Sequence, residues 1–517
     1  MLIVLLIGPR ILRTAYASAN LADEAIFYLP YLAATGETPY VDFQCPYNPG
    51  SVWLLAASYA IFGVSYRVAE FLTAILVTCI AGLLYTCGRR AFGVFGAVAS
   101  AATFAWHPLV FGYHVFAVEF CTTLCVWVSI FLLLKYQRPS LPLLLSIALL
   151  MTAACLFKKS ACGPALGVAL SLWWVRRDRR AAVRYTVMLS CLVGGATLIL
   201  LACFGMPYLQ QTLVFHLAKG EACPLWARPI LLVRKCCDPL SLLGLVGLAL
   251  FTIQRRKSPT ASLVAVLFGS EVFFNLLLSS TYWTHTHIPM SAYLAFFAGL
   301  LVHEMKALRG RLSARSGGTS WKLFRAPALA VAIAIFLVVV TGGNVWRAAQ
   351  VCHLPWGFGG MQRTAIRTLA ARVAQRSHPK GRIFAPGFVA LEARRRKTVD
   401  NIENAGVMNW IERTMEEEGL QAVLEKSRGK SFWDMIRLCR PYWVERVEHE
   451  LAARELQAVV LPDAWSIEYP DPFPNAEGYR QDFKTKNYLV LIPKPGPSTE
   501  TSSPTPRDMG ADAFSRK

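Results

Sequence analysis

Long apolar runs, separated by short clusters of Lys and Arg, fill most of the first 345 residues of this chain. An α-helix needs roughly 17 to 25 apolar residues to cross a bilayer. Of the 517 residues, 55% are hydrophobic and only 16% are charged, and the mean hydropathy is +0.40. Soluble domains carry about 25% charged residues. The sequence therefore predicts a multi-pass membrane protein, mainly α, built as a bundle of helices.

The apolar runs predict about 11 transmembrane helices. Those after the first are Arg67–Cys87, Val94–Val110, Val115–Leu134, Leu141–Phe157, Ala161–Val175, Thr186–Phe204, Leu240–Ile253, Ala261–Ser280, Ile288–Val302 and Pro327–Thr341. The first run, Met1–Gly8, is too short to cross a hydrocarbon core of about 30 Å. Either its helix continues to Ala19 or the start of the chain is placed late.

The basic residues follow the spans rather than one soluble face. Lys and Arg total 53 against 32 for Asp and Glu, a formal charge of +21. Cytoplasmic connections of membrane proteins are enriched in Lys and Arg. With a cytoplasmic N-terminus, every strongly basic connection falls on the cytoplasmic side. We therefore expect a cell (inner) membrane protein without a nucleic-acid partner, with the opening loop and everything after Gly343 on the external, periplasmic side.

Composition divides the chain into three parts. Residues 1–345 form the predicted transmembrane region, in which an external loop spans residues 20–65. Residues 346–494 have soluble composition, which predicts a small external α/β domain. Its strand patterns are Arg382–Ala385, Ala458–Leu461 and Tyr488–Ile492, and its helical patterns lie near Met361–Gln375, Val407–Lys426 and Phe432–Glu455. The tail, 495–517, is rich in Pro, Ser and Thr and is predicted to be disordered.

The 14 cysteines form no CxxC pair and no Cys/His spacing typical of zinc. The sequence therefore does not support a structural zinc site. Many cysteines fall inside spans, where they act as small apolar residues. Those outside the spans leave the disulfide pairing open. They are Cys45, Cys223, Cys236, Cys237, Cys352 and Cys439.

An adjacent acid pair, Asp23 and Glu24, stands in the opening loop. One interpretation is structural: Asn20 and Asp23 resemble a capping box that starts an interfacial helix, Leu21–Ala34. Capping explains Asp23 but leaves Glu24 and the pattern after it unexplained. That pattern comprises Gly36, Pro39-Tyr40, Asp42-Phe43, Pro49-Gly50 and Phe62-Gly63.

With the acid pair, this pattern resembles the first external loop of the GT-C glycosyltransferases. The resemblance is to their bacterial branch, related to dolichyl-phosphate-mannose protein mannosyltransferases and lipid A aminoarabinose transferases. It covers the first 90 residues well and rests on topology beyond them. Family members often carry Tyr four residues after the Asp, whereas Phe27 holds that position here and Tyr28 follows.

The resemblance implies transfer of a sugar from a polyprenyl-phosphate carrier to a lipid, glycan or protein acceptor of the envelope, by a hexosyl- or pentosyltransferase. Such a reaction usually inverts the sugar. A carboxylate near the anomeric carbon can act as general base and stabilise its developing positive charge. We expect Asp23 to be this base and Glu24 to orient the acceptor or a cation. No cofactor is certain, and a divalent cation is one option.

The resemblance also points to residues on the same face. Glu119 lies at the outer end of a span, where related transferases often carry an acid. Lys158 and Lys159, of which Lys158 matches the family better, and His285 and His287 lie where cations can bind the donor phosphate. Snorkelling towards the interface is the alternative for Glu119 and the lysines. The loop Met206–Asp238, with His216, Lys219, Arg228, Arg234 and Lys235, either closes over the carrier or is a solvated loop.

Two other classes of protein remain open at this stage. A transporter or flippase of lipid-linked sugars would also carry charges within the membrane, but near the midplane and open to both faces. A non-catalytic scaffold of an envelope complex would not depend on Asp23. In all three cases the membrane lipids are partners.

Overall fold

The computed structural model describes residues 24–112, 118–136, 138–219, 225–236, 238–253, 258–277, 287–315, 363–385, 387–397, 402–462, 479–484 and 488–494. Several predicted features lie outside these residues. They are the first span, the span Pro327–Thr341, the boundary at residue 345 and the tail from residue 495.

Helices make up the described part of the membrane region. They are α1 (Glu24–Ala34), α2 (Pro49–Phe62), α3 (Tyr66–Trp106), α4 (Pro108–Gly112), α5 (Val118–Lys135), α6 (Leu141–Phe157), α7 (Cys162–Leu170), α8 (Arg179–Leu209), α9 (Phe215–Ala218), α10 (Arg228–Cys236), α11 (Pro239–Ile253), α12 (Pro259–Leu277) and α13 (Ile288–Arg315). By length and composition, 5 helices of the described residues can cross a membrane. Shorter apolar helices, α2, α6 and α11, accompany them. The protein is a multi-pass membrane helical bundle.

Apolar runs located these helices well. The predicted span Leu141–Phe157 has the same bounds as α6. Two predicted spans, Arg67–Cys87 and Val94–Val110, lie largely within the single element α3, which is kinked at Gly93 with φ 73°. Glycine adopts this left-handed conformation without steric cost, so the chain bends there. The segment after Met206, expected as a loop, is largely helical instead and contains the end of α8, α9 and α10.

Small residues bring the central helices close together. Gly244 and Gly247 of α11 lie against backbone atoms of α13, and Gly96 of α3 lies against Gly299 of α13. A side chain at any of these glycines would collide with the facing backbone. Helices in membranes associate through such small-residue contacts because lipid provides no hydrophobic driving force between them. Helix α13 is therefore the centre of this part of the bundle.

The C-terminal region contains a small sheet with helices. Its elements are α14 (Arg363–Arg376), β1 (Arg382–Phe384), α15 (Gly387–Ala393), β2 (Arg396–Lys397), α16 (Ile402–Glu418), α17 (Leu420–Ser427), α18 (Phe432–Ala452), β3 (Leu456–Pro462), β4 (Tyr479–Lys484) and β5 (Tyr488–Pro493). The strand order is β2-β1-β3-β5-β4. Strands β2, β1 and β3 are parallel, and β3, β5 and β4 are antiparallel. The predicted α/β composition is confirmed.

The three predicted strands of this sheet are present, but two others escaped the sequence pattern. Strand β2 has only two residues, and β4, YRQDFK, carries few apolar residues. Their pairing with β1 and β5 makes them strands. The pattern Val407–Lys426 predicted one helix, whereas the chain breaks at Gly419, with φ 88°, into α16 and α17.

The C-terminal sheet contacts α1, the helix that follows the acid pair. The buried hydroxyl of Tyr28 accepts a hydrogen bond from the backbone N–H of Lys397, at 2.6 Å, and donates one to the carbonyl oxygen of Arg395, at 3.2 Å. Arg396 forms an ion pair with Glu37 at 3.1 Å. Strand β2 and its preceding residue therefore hold the first loop against the C-terminal region.

Candidate functional site

Two lysines occupy the short connection between α6 and α7. Lys158 ends α6 because its backbone is extended, with φ −152° and ψ 130°, and Lys159 begins a 3₁₀ turn. The side-chain amide of Asn48 donates to the carbonyl oxygen of Cys155 at 2.6 Å, so the start of α2 supports the end of α6. The connection is fixed against the first loop on one side.

Lys158 forms an ion pair with Glu119, the acid in the first turn of α5. The Glu119 side chain is 3% exposed, whereas that of Lys158 is 21% exposed. A buried carboxylate needs such a partner, because an unpaired charge in a membrane protein costs several kcal/mol. The structure therefore brings together two residues that the sequence singled out separately. The partly exposed side chain of Lys158 can also contact another anion.

Lys159 points away from Lys158, towards α8. Its ammonium donates to the carbonyl oxygen of Thr212. Thr212 belongs to a π-helical turn, Gln210–Val214, that joins α8 to α9. Such turns are rare in proteins overall, and those that occur are frequently at functional sites. Burial lowers the pKa of Lys159 to about 8, because the ammonium loses solvation.

A third lysine, with a histidine nearby, completes the cationic group. Lys219 is 6% exposed, and its pKa is lowered to about 7 by burial and then by the charges of Lys159 and Lys158. The His216 ring lies within range of the same lysine charges. Its Nε2 lies 3.0 Å from the carbonyl oxygen of Pro46. We call the three lysines, Lys158, Lys159 and Lys219, the cationic cluster, and the His216 ring lies beside it.

The first loop reaches this cluster through a chain of hydrogen bonds. The side chain of Gln211 accepts from the backbone N–H of Cys45 at 2.7 Å and donates to the carbonyl oxygen of Tyr40 at 3.0 Å. Tyr40 also packs on Tyr208, with ring centroids 5.2 Å apart. Residues 40–46 therefore lie along the π-helical turn, and the loop that carries the acid pair meets the lysines there.

Mutually repelling cations in a buried site favour an anion. Each neighbouring positive charge makes protonation of Lys219 harder, and a bound phosphate would reverse that effect. Glu119 supplies one negative charge to the cluster through Lys158. The cluster is therefore a candidate phosphate site, supported on one side by the first loop.

Of the other predicted site residues, only some are described by the structure. Asp23 and His285 lie outside the described residues, and Glu24, the first residue of α1, is described by its backbone alone. His287 is 3% exposed and precedes α13. Arg228 is also buried and donates to the carbonyl oxygen of Leu276 at 2.9 Å. The latter contact ties the start of α10 to the end of α12.

An acid in the middle of an apolar helix was not among the predicted site residues. Glu271 of α12 is 1% exposed, and it accepts a hydrogen bond from the side chain of Asn275 at 2.8 Å. Its other carboxylate oxygen and the Tyr293 hydroxyl are buried without a hydrogen-bond partner among the described residues. Lys158 is close enough to act on Glu271 through its charge. The signal was available, since an acid within a span is by default a functional candidate.

The His, Cys, Asp and Glu side chains are the candidates for metal binding, and the cysteines are the candidates for disulfides. Within the described ranges, no group of three His, Cys, Asp or Glu side chains could hold a metal ion. Of the candidates for disulfides, Cys439 is a buried free thiol, and the buried Cys45 thiol donates to the carbonyl oxygen of Tyr47 at 3.6 Å.

No protein-family model and no curated protein matches this sequence. Solved structures do match its fold. ArnT from Cupriavidus metallidurans, bound to undecaprenyl phosphate, superposes with a TM-score of 0.60 at 12% identity, over 95% of this chain and 97% of ArnT. ArnT in the apo state gives a TM-score of 0.60 at 13% identity, with the same coverage. Both are membrane glycosyltransferases.

The archaeal oligosaccharyltransferase AglB from Archaeoglobus fulgidus, in complex with an inhibitory peptide and a dolichol-phosphate, matches with a TM-score of 0.50 at 13% identity. The match covers 95% of this chain and 76% of AglB. The chain has the GT-C fold. The resemblance that the opening loop indicated thus extends, at the level of fold, over the membrane region and the C-terminal region together.

Proposed function

We propose that this protein is a membrane glycosyltransferase that moves a sugar from a polyprenyl-phosphate donor to a lipid, glycan or protein acceptor of the envelope. The observation that carries the proposal is the cationic cluster, lying against the first loop of a chain with the GT-C fold. ArnT, which shares this fold, has been crystallised with undecaprenyl phosphate. The cluster combines a partly exposed lysine, Lys158, with a buried one, Lys219. A phosphate ester is a ligand that suits such a group of lysines.

In the proposed reaction an acceptor hydroxyl or amine attacks the anomeric carbon of the donor sugar. The bond from that carbon to the phosphate oxygen breaks, and the polyprenyl phosphate leaves with the electron pair. Asp23 accepts the acceptor's proton, and Glu24 orients the acceptor. Lys158 and Lys219 stabilise the negative charge that grows on the leaving phosphate. Attack opposite the leaving group inverts the sugar, which is a hexosyl or pentosyl unit.

Glu119 has a positioning role in this scheme. In the structure it pairs with Lys158. A donor phosphate bound to Lys158 would share its ammonium group with Glu119. The Glu119 carboxylate keeps that ammonium protonated and oriented, and it leaves other N–H donors of the group available to the phosphate. We also propose that the cluster and the C-terminal region lie on the external face of the inner membrane, as the positive-inside rule predicts.

Transfer is tested with purified protein in detergent and a polyprenyl-phosphate-linked sugar as donor. Since the acceptor is unidentified, envelope lipid and glycan fractions from a deletion strain serve as acceptors, and mass spectrometry follows the sugar. The expected result is a sugar on one acceptor and free polyprenyl phosphate in equal amount. A protein that moves intact donor across a vesicle bilayer without breaking it would be a flippase, and the proposal would be wrong.

The role of Asp23 has its own test. Asp23→Asn keeps the size and much of the capping ability of the residue but removes the proton acceptor. We expect turnover to fall by roughly 100-fold or more at unchanged protein level, because general bases contribute about that much. Glu24→Gln should cost less. If Asp23→Asn retains wild-type turnover while Asn20→Ala destabilises the protein, the acid pair only starts a helix.

A further inference from the structure

Two cysteines bracket the lysine connection. Cys155 lies two residues before the end of α6, and Cys162 is the first residue of α7. Their sulfur atoms are 3.8 Å apart. Lys158 and Lys159 stand between them in the chain. Both cysteines fall inside apolar runs, where cysteine is expected to act as a small apolar residue, so the sequence pattern did not indicate this pair.

The geometry suits a covalent bond between these thiols. A disulfide needs a sulfur-sulfur distance of about 2.05 Å. The two sulfur atoms, 3.8 Å apart, must approach by roughly 1.8 Å to bond. Cys162 is exposed and Cys155 is partly exposed, and both lie within four residues of the lysine connection. The positive-inside rule predicts an external position for this connection, and disulfides persist in that compartment.

We propose that Cys155 and Cys162 form a reversible disulfide that clamps the connection carrying Lys158 and Lys159. One cysteine thiolate attacks a disulfide oxidant, which forms a mixed disulfide and releases one half of the oxidant as a thiolate. The second cysteine thiolate then attacks the cysteine sulfur of the mixed disulfide and releases the other half of the oxidant. The two cysteines lose two protons and two electrons in total. The oxidant, a protein or small-molecule disulfide, is reduced to two thiols.

The clamp acts on residues of the candidate phosphate site. Lys158 is held by Glu119 and Lys159 by the carbonyl oxygen of Thr212. Both contacts depend on the short segment between the two cysteines. A disulfide would restrict that segment to the conformation in which the lysines already point towards their partners. Preorganised binding groups lose less entropy when a ligand arrives. The effect on the donor rests on the proposed function, whereas the bond itself does not.

The bond is tested by peptide mapping. Purified protein is treated with oxidised glutathione, the remaining thiols are alkylated, and the protein is digested with trypsin without reductant. Trypsin cleaves after Lys158 and Lys159, so a Cys155–Cys162 disulfide joins two separate peptides. We expect this linked pair, and we expect Cys155→Ser or Cys162→Ser to abolish it. Cys191→Ser, at an exposed cysteine of α8, should preserve it. Complete alkylation of both thiols, or a bond from Cys155 to Cys125, would overturn the proposal.

The clamp's effect is measured on the wild-type protein in its oxidised and reduced forms, which avoids any variant that fails to fold. We expect the oxidised form to bind undecaprenyl phosphate about threefold more tightly. In Cys155→Ser the difference should vanish. Equal affinities would overturn the clamping role even where the disulfide forms. Neither the peptide mapping nor the affinity measurement requires sugar transfer. Both results can therefore be interpreted even if the proposed enzyme activity is wrong.

Discussion

Lys158 and Lys159 are adjacent in sequence, yet their surroundings give them different roles. Lys158 forms an ion pair with Glu119, whereas Lys159 donates to a backbone carbonyl oxygen, and both residues are partly exposed. Burial lowers the pKa of Lys159 to about 8, so its ammonium loses charge at mildly alkaline pH. We therefore expect Lys159 to be the weaker phosphate ligand of the two.

We expect Lys158→Ala to lower kcat/KM for the lipid-phosphate donor by about 10-fold or more. A hydrogen bond between charged groups contributes about 1.5–3 kcal/mol. Lys159→Ala should cost less. Lys135→Ala, at an exposed lysine that ends α5, is the control and should retain activity. Equal, negligible effects at Lys158 and Lys159 would mean that both lysines only anchor helix ends at the interface.

Lys219 makes donor binding depend on pH. Its pKa of about 7 in the free protein means that it is charged below pH 7 and mostly neutral above. A bound phosphate raises that pKa, so affinity is full below pH 7 and falls as the pH rises towards the pKa of the complex. The donor phosphate is a diester and does not titrate in this range. We expect binding titrations from pH 6 to 9 to show this loss.

Lys219→Arg provides the matched variant for this measurement. Arg stays charged throughout the range, so the loss of affinity that begins near pH 7 should disappear, and only a loss near pH 8, where Lys159 titrates, should remain. A wild-type affinity that is constant from pH 6 to 9 would show that Lys219 does not face the phosphate.

At the scale of elements, the contact between α1 and β2 joins the first loop to the C-terminal region. The Tyr28 hydroxyl is shared by two backbone groups of residues 395 and 397. Without it, the N–H of Lys397 would be buried without that partner, and an unsatisfied buried group costs about 1–3 kcal/mol. The helix that follows the acid pair would then be less firmly held.

We therefore expect Tyr28→Phe to lower the melting temperature and to speed proteolysis within residues 20–65. Tyr136→Phe, at a tyrosine 45% exposed, is the control and should leave both unchanged. Circular dichroism and timed chymotrypsin digestion in detergent measure the two effects, because residues 20–65 contain aromatic residues but no Lys or Arg. Unchanged digestion in Tyr28→Phe would show that the C-terminal region does not stabilise the loop.

At the scale of the whole molecule, charge distribution predicts how the protein crosses the membrane. Cysteines introduced singly at Ser316 and Asn401, in a background without accessible native thiols, report the two sides. We expect a membrane-impermeant thiol reagent added from outside to label Asn401→Cys and to miss Ser316→Cys until the membrane is opened. Labelling of Ser316→Cys in intact cells would reverse the orientation and place the cationic cluster on the cytoplasmic face.

The sequence by itself determined the class of the protein and the positions of most helices. Apolar runs of span length and basic connections follow from the cost of placing polar groups in hydrocarbon, which is local to each run. For the same reason α6 was predicted to the residue. Strands β1, β3 and β5 were found because a strand-like run of residues is also a local property of the sequence. The first loop carried enough pattern to indicate the GT-C fold.

Only the tertiary structure decided which of these residues act together. Glu119 and Lys158 are 39 positions apart, and Lys219 lies further along the chain, so no spacing rule links them. Packing of α5, α6 and the π-helical turn brings their charges together, and desolvation there changes the pKa values of Lys159 and Lys219. Strands β2 and β4 and the sulfur contact of Cys155 with Cys162 likewise depend on partners, because hydrogen bonding and proximity are properties of the fold rather than of a segment.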